Sequence, residues 1–328
     1  MTTVHRIERD APEASVLQTA AATLRAGDLV AFATETVYGL GADATQPDAV
    51  AKIFASKGRP QTNPLIAHVA DAQMARAWAG AWPDTAQRVA ETLWPGPITL
   101  IVPRVDAFAP AVSAGLDTVG LRVPAPPVAR GLIAALGRPV AAPSANRSEH
   151  VSPTTAQHVL DDLEGRVHTV LDSGPTGVGI ESTVLDVSGK TPRLLRRGPV
   201  TVDAIEAVVG VQVQVVDAHV DGASAQASPG QSVRHYAPDV TTVRVERGMT
   251  LDVRPTDAVI VVGAHCAAAS SAQTVVVLSD PESAAQRLYA ALRRLEARAP
   301  PRIVIVMPPD ASAWAAVRDR LVRASVLA

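Results

Sequence analysis

Lys57 and Arg59 stand on either side of Gly58, at the end of a run whose apolar positions Val50, Ile53 and Phe54 recur at helical spacing. Just upstream, Thr34, Glu35, Thr36 and Tyr38 crowd the end of a short apolar strand, where open α/β sheets hold ligands. Asn63 and His68 bracket the next extended run. Two fixed cations beside hydroxyls and an amide suit a polyphosphate, with Arg59 offering a planar fork and Lys57 a point charge. Ordinary helix termination accounts for the lysine and glycine too, because a basic last turn followed by a left-handed glycine is a common stop. The neighbourhood, more than the pair, makes this stretch a candidate site.

Further groups capable of chemistry recur along the chain. Residues 118–123 alternate strictly, so Thr118, Gly120 and Arg122 share one face, with the glycine leaving room for a ligand. A solvated edge face would give the same pattern. Ala142-Pro143-Ser144-Ala145-Asn146 is a polar loop at a strand end, and Ser152-Pro153 reads as a helix cap that also frees backbone N–H groups for an anion. Gly174 to Gly179 form a glycine-rich loop ahead of Glu181-Ser182-Thr183. Gly39-Leu40-Gly41-Ala42-Asp43-Ala44 fits the dinucleotide fingerprint, but no acidic residue closes a second strand about 20 residues on, so these glycines read as a turn. There is no G-x-x-x-x-G-K-[ST], so an ATP site here is not a P-loop.

The elements that must position these groups follow from periodicity. Helices are expected over 13–25, from a Thr45 cap to Lys57, and over 71–79, 84–93, 127–136 and 202–209; strands are expected over 29–33, 98–102, 118–123, 139–142, 168–172, 181–187 and 193–196. Residues 221–232 are rich in Ala, Ser, Gly and Gln and read as a linker, yet it ends in Arg234-His235-Tyr236-Ala237-Pro238, dense in ligand-capable groups. That tail is expected to fold back over the first unit. Beyond it, β runs at 258–262, 274–278 and 302–307, with helices at 282–297 and 312–324, make a small α/β unit without concentrated catalytic residue types.

A chain of 328 residues accommodates two such cores, and 47% hydrophobic content with a formal net charge of −2 excludes a disordered or broadly polybasic protein. The single Cys266 excludes an internal disulfide and a cysteine metal cage. With no apolar leader and no run of membrane-spanning length, a cytoplasmic protein without membrane contact is the expectation.

Together the motifs resemble the threonylcarbamoyl-AMP synthase family in its long, two-domain form. The matching residues are Thr34-Glu35-Thr36-Val37-Tyr38-Gly39-Leu40-Gly41, Lys57-Gly58-Arg59-Pro60, Asn63-Pro64-Leu65-Ile66, Trp94-Pro95-Gly96-Pro97 and Arg122-Val123-Pro124. Ala142-Pro143-Ser144-Ala145-Asn146, Ser152-Pro153-Thr154, Gly179-Ile180-Glu181-Ser182-Thr183-Val184, Ser228-Pro229-Gly230 and Arg234-His235-Tyr236-Ala237-Pro238 continue the match in order. The resemblance implies a YrdC-like twisted open mixed sheet with a concave cleft, followed by a smaller Rossmann-like α/β domain. It divides the chain into a catalytic domain (1–213), a linker over the active site (214–238) and a C-terminal domain (239–328).

The implied activity is condensation of L-threonine, bicarbonate (or CO2) and ATP into threonylcarbamoyl-AMP and pyrophosphate, for transfer by a partner complex to tRNA. Carried over by position, the ATP set is Lys57, Arg59, Asn63, Thr118, Ser144, Ser152, Arg196, His235 and Tyr236. The threonine set is Thr36, His68, Arg122, the backbone at Ala142, and Ser182; Lys57, Arg59, Ser144 and Asn146 are the catalytic signature. Mg2+ is implied on the phosphates, with ATP oxygens and water as its ligands because no carboxylate cage is visible. The chain departs from the family pattern at Ala33, Pro126, Glu149 and Arg197, and Ser232 stands where a lid lysine is usual, which predicts weaker lid closure. Two other readings compete: a carbamoyl-adenylate-forming transferase, which usually carries a further large domain, and a non-catalytic RNA-binding module, which the low aromatic content disfavours.

Overall fold

The computed structural model describes residues 1–216, 235–247, 249, 252–263, 272 and 274–328. Most of the linker, including Ser228-Pro229-Gly230, Ser232 and Arg234, lies outside the described residues, as does Cys266.

Among the described residues, one mixed sheet takes in β1 (Thr3–Arg6), β2 (Val30–Ala33), β3 (Tyr38–Asp43), β4 (Ile66–His68), β5 (Ile98–Pro103), β6 (Thr118–Arg122), β7 (Val140–Ala141), β8 (Thr169–Asp172), β9 (Thr183–Asp186), β10 (Arg193–Arg196) and β11 (Gln214–Val215). Its order is β1-β8-β2-β3-β7-β4-β6-β5-β9-β10-β11. Its helices are α1 (Ala14–Arg25), α2 (Pro47–Lys57), α3 (Ala72–Ala77), α4 (Asp84–Leu93), α5 (Pro127–Leu136), α6 (Ala156–Leu163) and α7 (Val202–Val209). A second sheet of parallel pairs, β14-β13-β15-β12-β16, is built from β12 (Thr242–Val245), β13 (Ala258–Val262), β14 (Thr274–Leu278), β15 (Ile303–Val306) and β16 (Val326–Leu327). It carries α8 (Pro281–Glu296) and α9 (Ala315–Ala324). The fold is thus mixed α/β throughout, with a large mixed sheet and a smaller parallel one.

The sheet faces explain the positions. On one face Val30, Phe32, Val140 and Leu171 pack with Leu24, Leu132 and Ile133 of α1 and α5. The other face, with Ala31, Leu40, Leu100 and Leu121, packs against α2, α4, α6 and α7. The first face carries the candidate site farther along, because Thr34 follows Phe32, and Gly39, Ala142, His68 and Arg122 fall in phase with it.

Several local expectations are corrected. Gly39 and Gly41 do not turn the chain; they lie inside β3. A side chain at Gly41 would meet Val140 Cγ1 at 2.8 Å and Phe32 Cε1 at 2.9 Å, so close packing on the sheet face requires glycine. The cap position of α2 falls on Gln46, and Thr45 is drawn away by Asp43, to which its hydroxyl donates at 2.7 Å. Ser152 does not cap α6; Thr155 does, accepting from the His158 amide. Asp71 caps α3 through the Met74 amide, and Asp84 is the first residue of α4. Strands β1, β11, β12 and β16 lie outside the expected set, because runs this short carry too few alternations to declare themselves. The expected left-handed stop at Gly58 is present, with φ of 62°.

Candidate active site

Gly58 turns the chain so that Lys57 and Arg59 both point inward, and both are buried. Arg59 is held from behind: Nε donates to the Asn63 carbonyl at 3.2 Å, and Nη2 to Asn63 Oδ1 at 2.5 Å and the Pro64 carbonyl at 2.9 Å. Asn63 therefore aims the guanidinium. Lys57 donates to the carbonyls of Ser144, at 2.6 Å, and Asn146, and its own carbonyl accepts from the Ser148 amide at 2.8 Å. The ammonium thus ties the end of α2 to the 144–148 loop.

One pocket is lined by Arg59, Ser144, Arg196 and His235 together with Thr36, His68, Arg122, Ala142 and Ser182. Thr34, Gly39, Ile66, Glu181 and Tyr236 complete much of the wall. The floor is shallow where Gly39 and Ala142 meet: a Cβ on Gly39 would stand 3.2 Å from that of Ala142. Residues expected to bind nucleotide and residues expected to bind amino acid therefore share a hollow.

Arg122 is fixed on three sides. Nε donates to the Gly96 carbonyl at 3.2 Å, Nη1 to Thr36 Oγ1 at 3.0 Å, and Nη2 lies 2.8 Å from Glu35 Oε1. Glu35 in turn accepts from the Ala125 amide through Oε2 at 3.1 Å. An arginine has five N–H donors, so guanidinium hydrogens remain for an incoming carboxylate. Arg196 donates from Nε to the Ser182 carbonyl at 3.0 Å and from Nη2 to Ser182 Oγ at 3.1 Å; that hydroxyl also lies 2.8 Å from Thr99 Oγ1.

Five expected site residues, Lys57, Asn63, Thr118, Asn146 and Ser152, do not line the pocket. Thr118 lies at the other end of β6 and lines a separate small hollow with Pro64 and Leu65. The room foreseen at Gly120 is filled by Ile101, Thr99 and Ile66, whose atoms would stand 3.2 to 3.6 Å from an added Cβ. Ser152 is turned away, donating to Glu181 Oε1 at 2.6 Å. Asn146 donates to the carbonyls of Arg147 and His150, and Asn63 and Lys57 act through Arg59 and the 144–148 loop. Ser152 and Asn146 therefore stand behind the pocket lining, Ser152 against Glu181 and Asn146 within the 146–150 loop.

Burial and crowded cations set the protonation states. Burial, and then Arg59, push the Lys57 ammonium well below its usual range. Burial lowers Arg59 to about 10. His235 is driven well down by burial and by Arg59 and Lys57, so it is a neutral imidazole. A polyanion entering this pocket would relieve that repulsion. His68 falls to about 3 through burial and the adjacent Arg122.

The sign of the His68 effect is fixed. A pKa depressed on folding means the unfolded chain takes up protons first, so stability present above pH 6.5 is lost as pH falls toward 3. Between pH 6.5 and 5 this single group costs about 2 kcal/mol. Urea unfolding at pH 7, 6 and 5 should show the parent losing more stability than His68→Asn over that interval, and equal slopes would count against a buried neutral His68.

Sequence reasoning missed the contribution of the second unit. Arg320, on α9, has no exposed surface, and its Nε lies 2.7 Å from Glu181 Oε2 in the pocket wall. Tyr289, on α8, donates to the same oxygen at 2.9 Å. Glu181 was visible as an acid opening a strand, but nothing local marks Arg320 or Tyr289. Their partner lies more than a hundred positions away.

The fold and pocket define a two-unit YrdC-type α/β protein whose cleft gathers three buried arginines from separate strands and loops. Comparisons with known proteins agree with that class. A Sua5/YciO/YrdC family model described as "Telomere recombination" matches residues 22–198, and one described as "Threonylcarbamoyl-AMP synthase, C-terminal domain" matches 200–326. The chain is 39% identical over 321 residues to the threonylcarbamoyl-AMP synthase of Pyrococcus abyssi, covering 94% of each chain. It is 50% identical over 220 residues to that of Bacillus subtilis, covering 67% of this chain and 63% of the relative. A crystal structure of Pyrococcus abyssi Sua5 complexed with L-threonine superposes with a TM-score of 0.89 at 35% identity, covering all of both chains. The chain belongs to the threonylcarbamoyl-AMP synthase family.

Proposed function

We propose that this enzyme condenses L-threonine, bicarbonate or CO2, and ATP into threonylcarbamoyl-AMP, releasing pyrophosphate, and that its product serves threonylcarbamoylation of tRNA by a separate transfer complex. The observation that carries this reading is the meeting of Arg59, Arg122 and Arg196 in one pocket. Among the described residues, neither pocket serine, Ser144 or Ser182, is hydrogen-bonded to a histidine, so electrostatic positioning takes precedence over a protein nucleophile. The L-threonine complex of the Pyrococcus abyssi relative supports the amino acid. Division into a catalytic domain (1–213), a linker (214–238) and a C-terminal domain (239–328) remains our reading, although β11 extends the first sheet two residues past that boundary.

In this mechanism the threonine carboxylate sits on Arg122 with Thr36, while neutral His68, the Ala142 backbone and Ser182 shape its side of the pocket. The amine adds to CO2 and loses a proton, giving a carbamate. A carbamate oxygen then attacks the α-phosphorus of ATP, and the bond to the β-phosphate oxygen breaks. Negative charge gathers on the departing pyrophosphate, and Arg59 and Arg196 stabilise it with Ser144 at the loop held by Lys57. Asn63 keeps Arg59 aimed, Asn146 and Ser152 brace the wall, and His235 with Tyr236 closes over the nucleotide. Thr118 would reach the nucleotide only beyond the present pocket edge.

Mg2+ fits this pocket poorly as a resident ion. Glu181 accepts through Oε1 from Ser152 and through Oε2 from Arg320 and Tyr289, and Glu35 faces Arg122. We therefore treat it as part of the substrate MgATP, held by phosphate oxygens and water. Among the described residues, no helix is long and apolar enough to cross a membrane, and we propose the cytoplasm as the compartment.

Pyrophosphate release tests the reading. It should require ATP, L-threonine and bicarbonate together. Release supported by carbamoyl phosphate alone would replace it with the carbamoyl transferase, and RNA binding without ATP turnover would replace it with a binding module.

A further inference from the structure

The second unit meets the pocket through a buried cluster. Glu181 is a pocket-wall carboxylate with a buried environment. Burial opposes its charge, but Arg320 and then Arg196 outweigh burial and hold it ionised. Arg320 lies 2.7 Å from Glu181 Oε2, pairs with Asp319, and donates to the Arg197 carbonyl at 3.0 Å. Its guanidinium also sits 5.2 Å from the centre of the Tyr236 ring. Tyr289 joins the same two groups, donating to Glu181 at 2.9 Å and stacking on Tyr236 with centroids 5.7 Å apart.

Tyr236 needs such support. Its φ of 61° places a bulky residue in the left-handed region, a strained conformation that persists only where surroundings impose it. The main chain beside it is stitched on both sides: the His235 amide donates to the Arg323 carbonyl at 3.2 Å, and the Ala237 amide to the Glu149 carbonyl at 3.0 Å. Glu149 itself has φ of 65°. The contact is tight elsewhere too, since a Cβ on Gly179 would fall 2.5 Å from backbone atoms of Ala285 and Gln286 in α8.

We propose that Arg320 is a positioning residue of the nucleotide site, acting from the second domain through Glu181 and Tyr236. It neutralises Glu181, the one carboxylate lining this pocket among the described residues, and it holds the Tyr236 ring that seats His235. The second domain on this account completes the nucleotide site. The inference rests on reading this pocket as the ATP site, but its structural half can be measured without ATP.

Two variants separate charge from packing. Arg320→Met keeps bulk and leaves Glu181 charged without its partner; Arg320→Met combined with Glu181→Gln removes both charges. Calorimetric ATP affinity should fall by about 30-fold or more in the single variant and return to within about threefold of the parent in the double variant. Threonine affinity should change by less than about threefold in both. Tyr289→Phe, which keeps the ring stack, should weaken ATP binding by about threefold to tenfold. Val317→Ala, which trims the same apolar core as Tyr236 and Tyr289 but leaves the hydrogen bonds to Glu181 intact, serves as the control for loss of stability alone. Without any ligand, amide hydrogen exchange over 235–240 should quicken by about tenfold in Arg320→Met and remain at the parental rate in Val317→Ala.

Unchanged exchange in Arg320→Met, or exchange that quickens equally in Val317→Ala, would overturn the proposal. So would a double variant that binds ATP as weakly as Arg320→Met. A parent chain that protects 235–240 as expected but binds no ATP would instead sink the nucleotide reading and leave the positioning result standing.

Discussion

Arg59→Ala should lower kcat/KM for ATP by about 10² to 10³-fold, with most of the loss in kcat. The guanidinium is buried, fixed by Asn63 and Pro64, and faces a pocket with two further arginines, so it needs no reorganisation when charge shifts to the leaving pyrophosphate. A lysine there would restore the charge but not the fork that Asn63 and Pro64 hold, so Arg59→Lys should recover only part of the rate. Steady-state kinetics with ATP varied at saturating threonine and bicarbonate would measure this. A kcat within threefold of the parent in Arg59→Ala would contradict a role at the reacting phosphates.

The second large effect concerns Arg122 and carries a complication from Glu35. Arg122→Gln removes the cation that receives the substrate carboxylate and should raise KM for L-threonine by about 10²-fold. It also strands Glu35, whose side chain is only 12% exposed, opposite a neutral partner. Breaking a buried pair on one side costs about 3–5 kcal/mol, so the single variant confounds binding with folding. Adding Glu35→Gln removes the stranded charge. The paired variant should melt closer to the parent than Arg122→Gln does, yet keep the raised KM for threonine. Recovery of threonine affinity along with stability would mean that Arg122 serves only the fold.

These predictions also mark what the sequence made legible. Helix α2 was readable because a periodic apolar face, an early proline and a terminal glycine all pointed to one conformation. Arg59, Arg122, Ser144 and Arg196 were assigned together because several family motifs kept their order, although spacing alone could not bring them together. Gly39 and Gly41 misled because a glycine needed for close packing within a strand looks, in sequence, like one needed for a turn. Ser152 misled for a related reason: a serine before proline has the form of a cap, but a buried carboxylate at 2.6 Å offers its hydroxyl a stronger partner. Thr118 shared a strand face with Arg122 as expected, yet the glycine between them made room for Ile101 and Thr99 rather than for a ligand.

Arg320 was illegible on other grounds. On an amphipathic helix rich in arginine, one cation is indistinguishable from its solvated neighbours until the two units dock. Its role depends on Glu181 and Tyr236, which lie 139 and 84 positions away, and no local pattern encodes such a distance. The same holds for Glu35, whose partnership with Arg122 follows from the meeting of a β2–β3 loop with the end of β6.

The central claim is that one hollow holds nucleotide and amino acid at once, close enough to react. A crystal structure of the chain with L-threonine and a non-hydrolysable ATP analogue tests it most directly. The account predicts the threonine carboxylate on Arg122 and the triphosphate between Arg59 and Arg196, with the threonine amine directed at the α-phosphate. An analogue bound away from Arg59 and Arg196, or a threonine carboxylate away from Arg122, would contradict it.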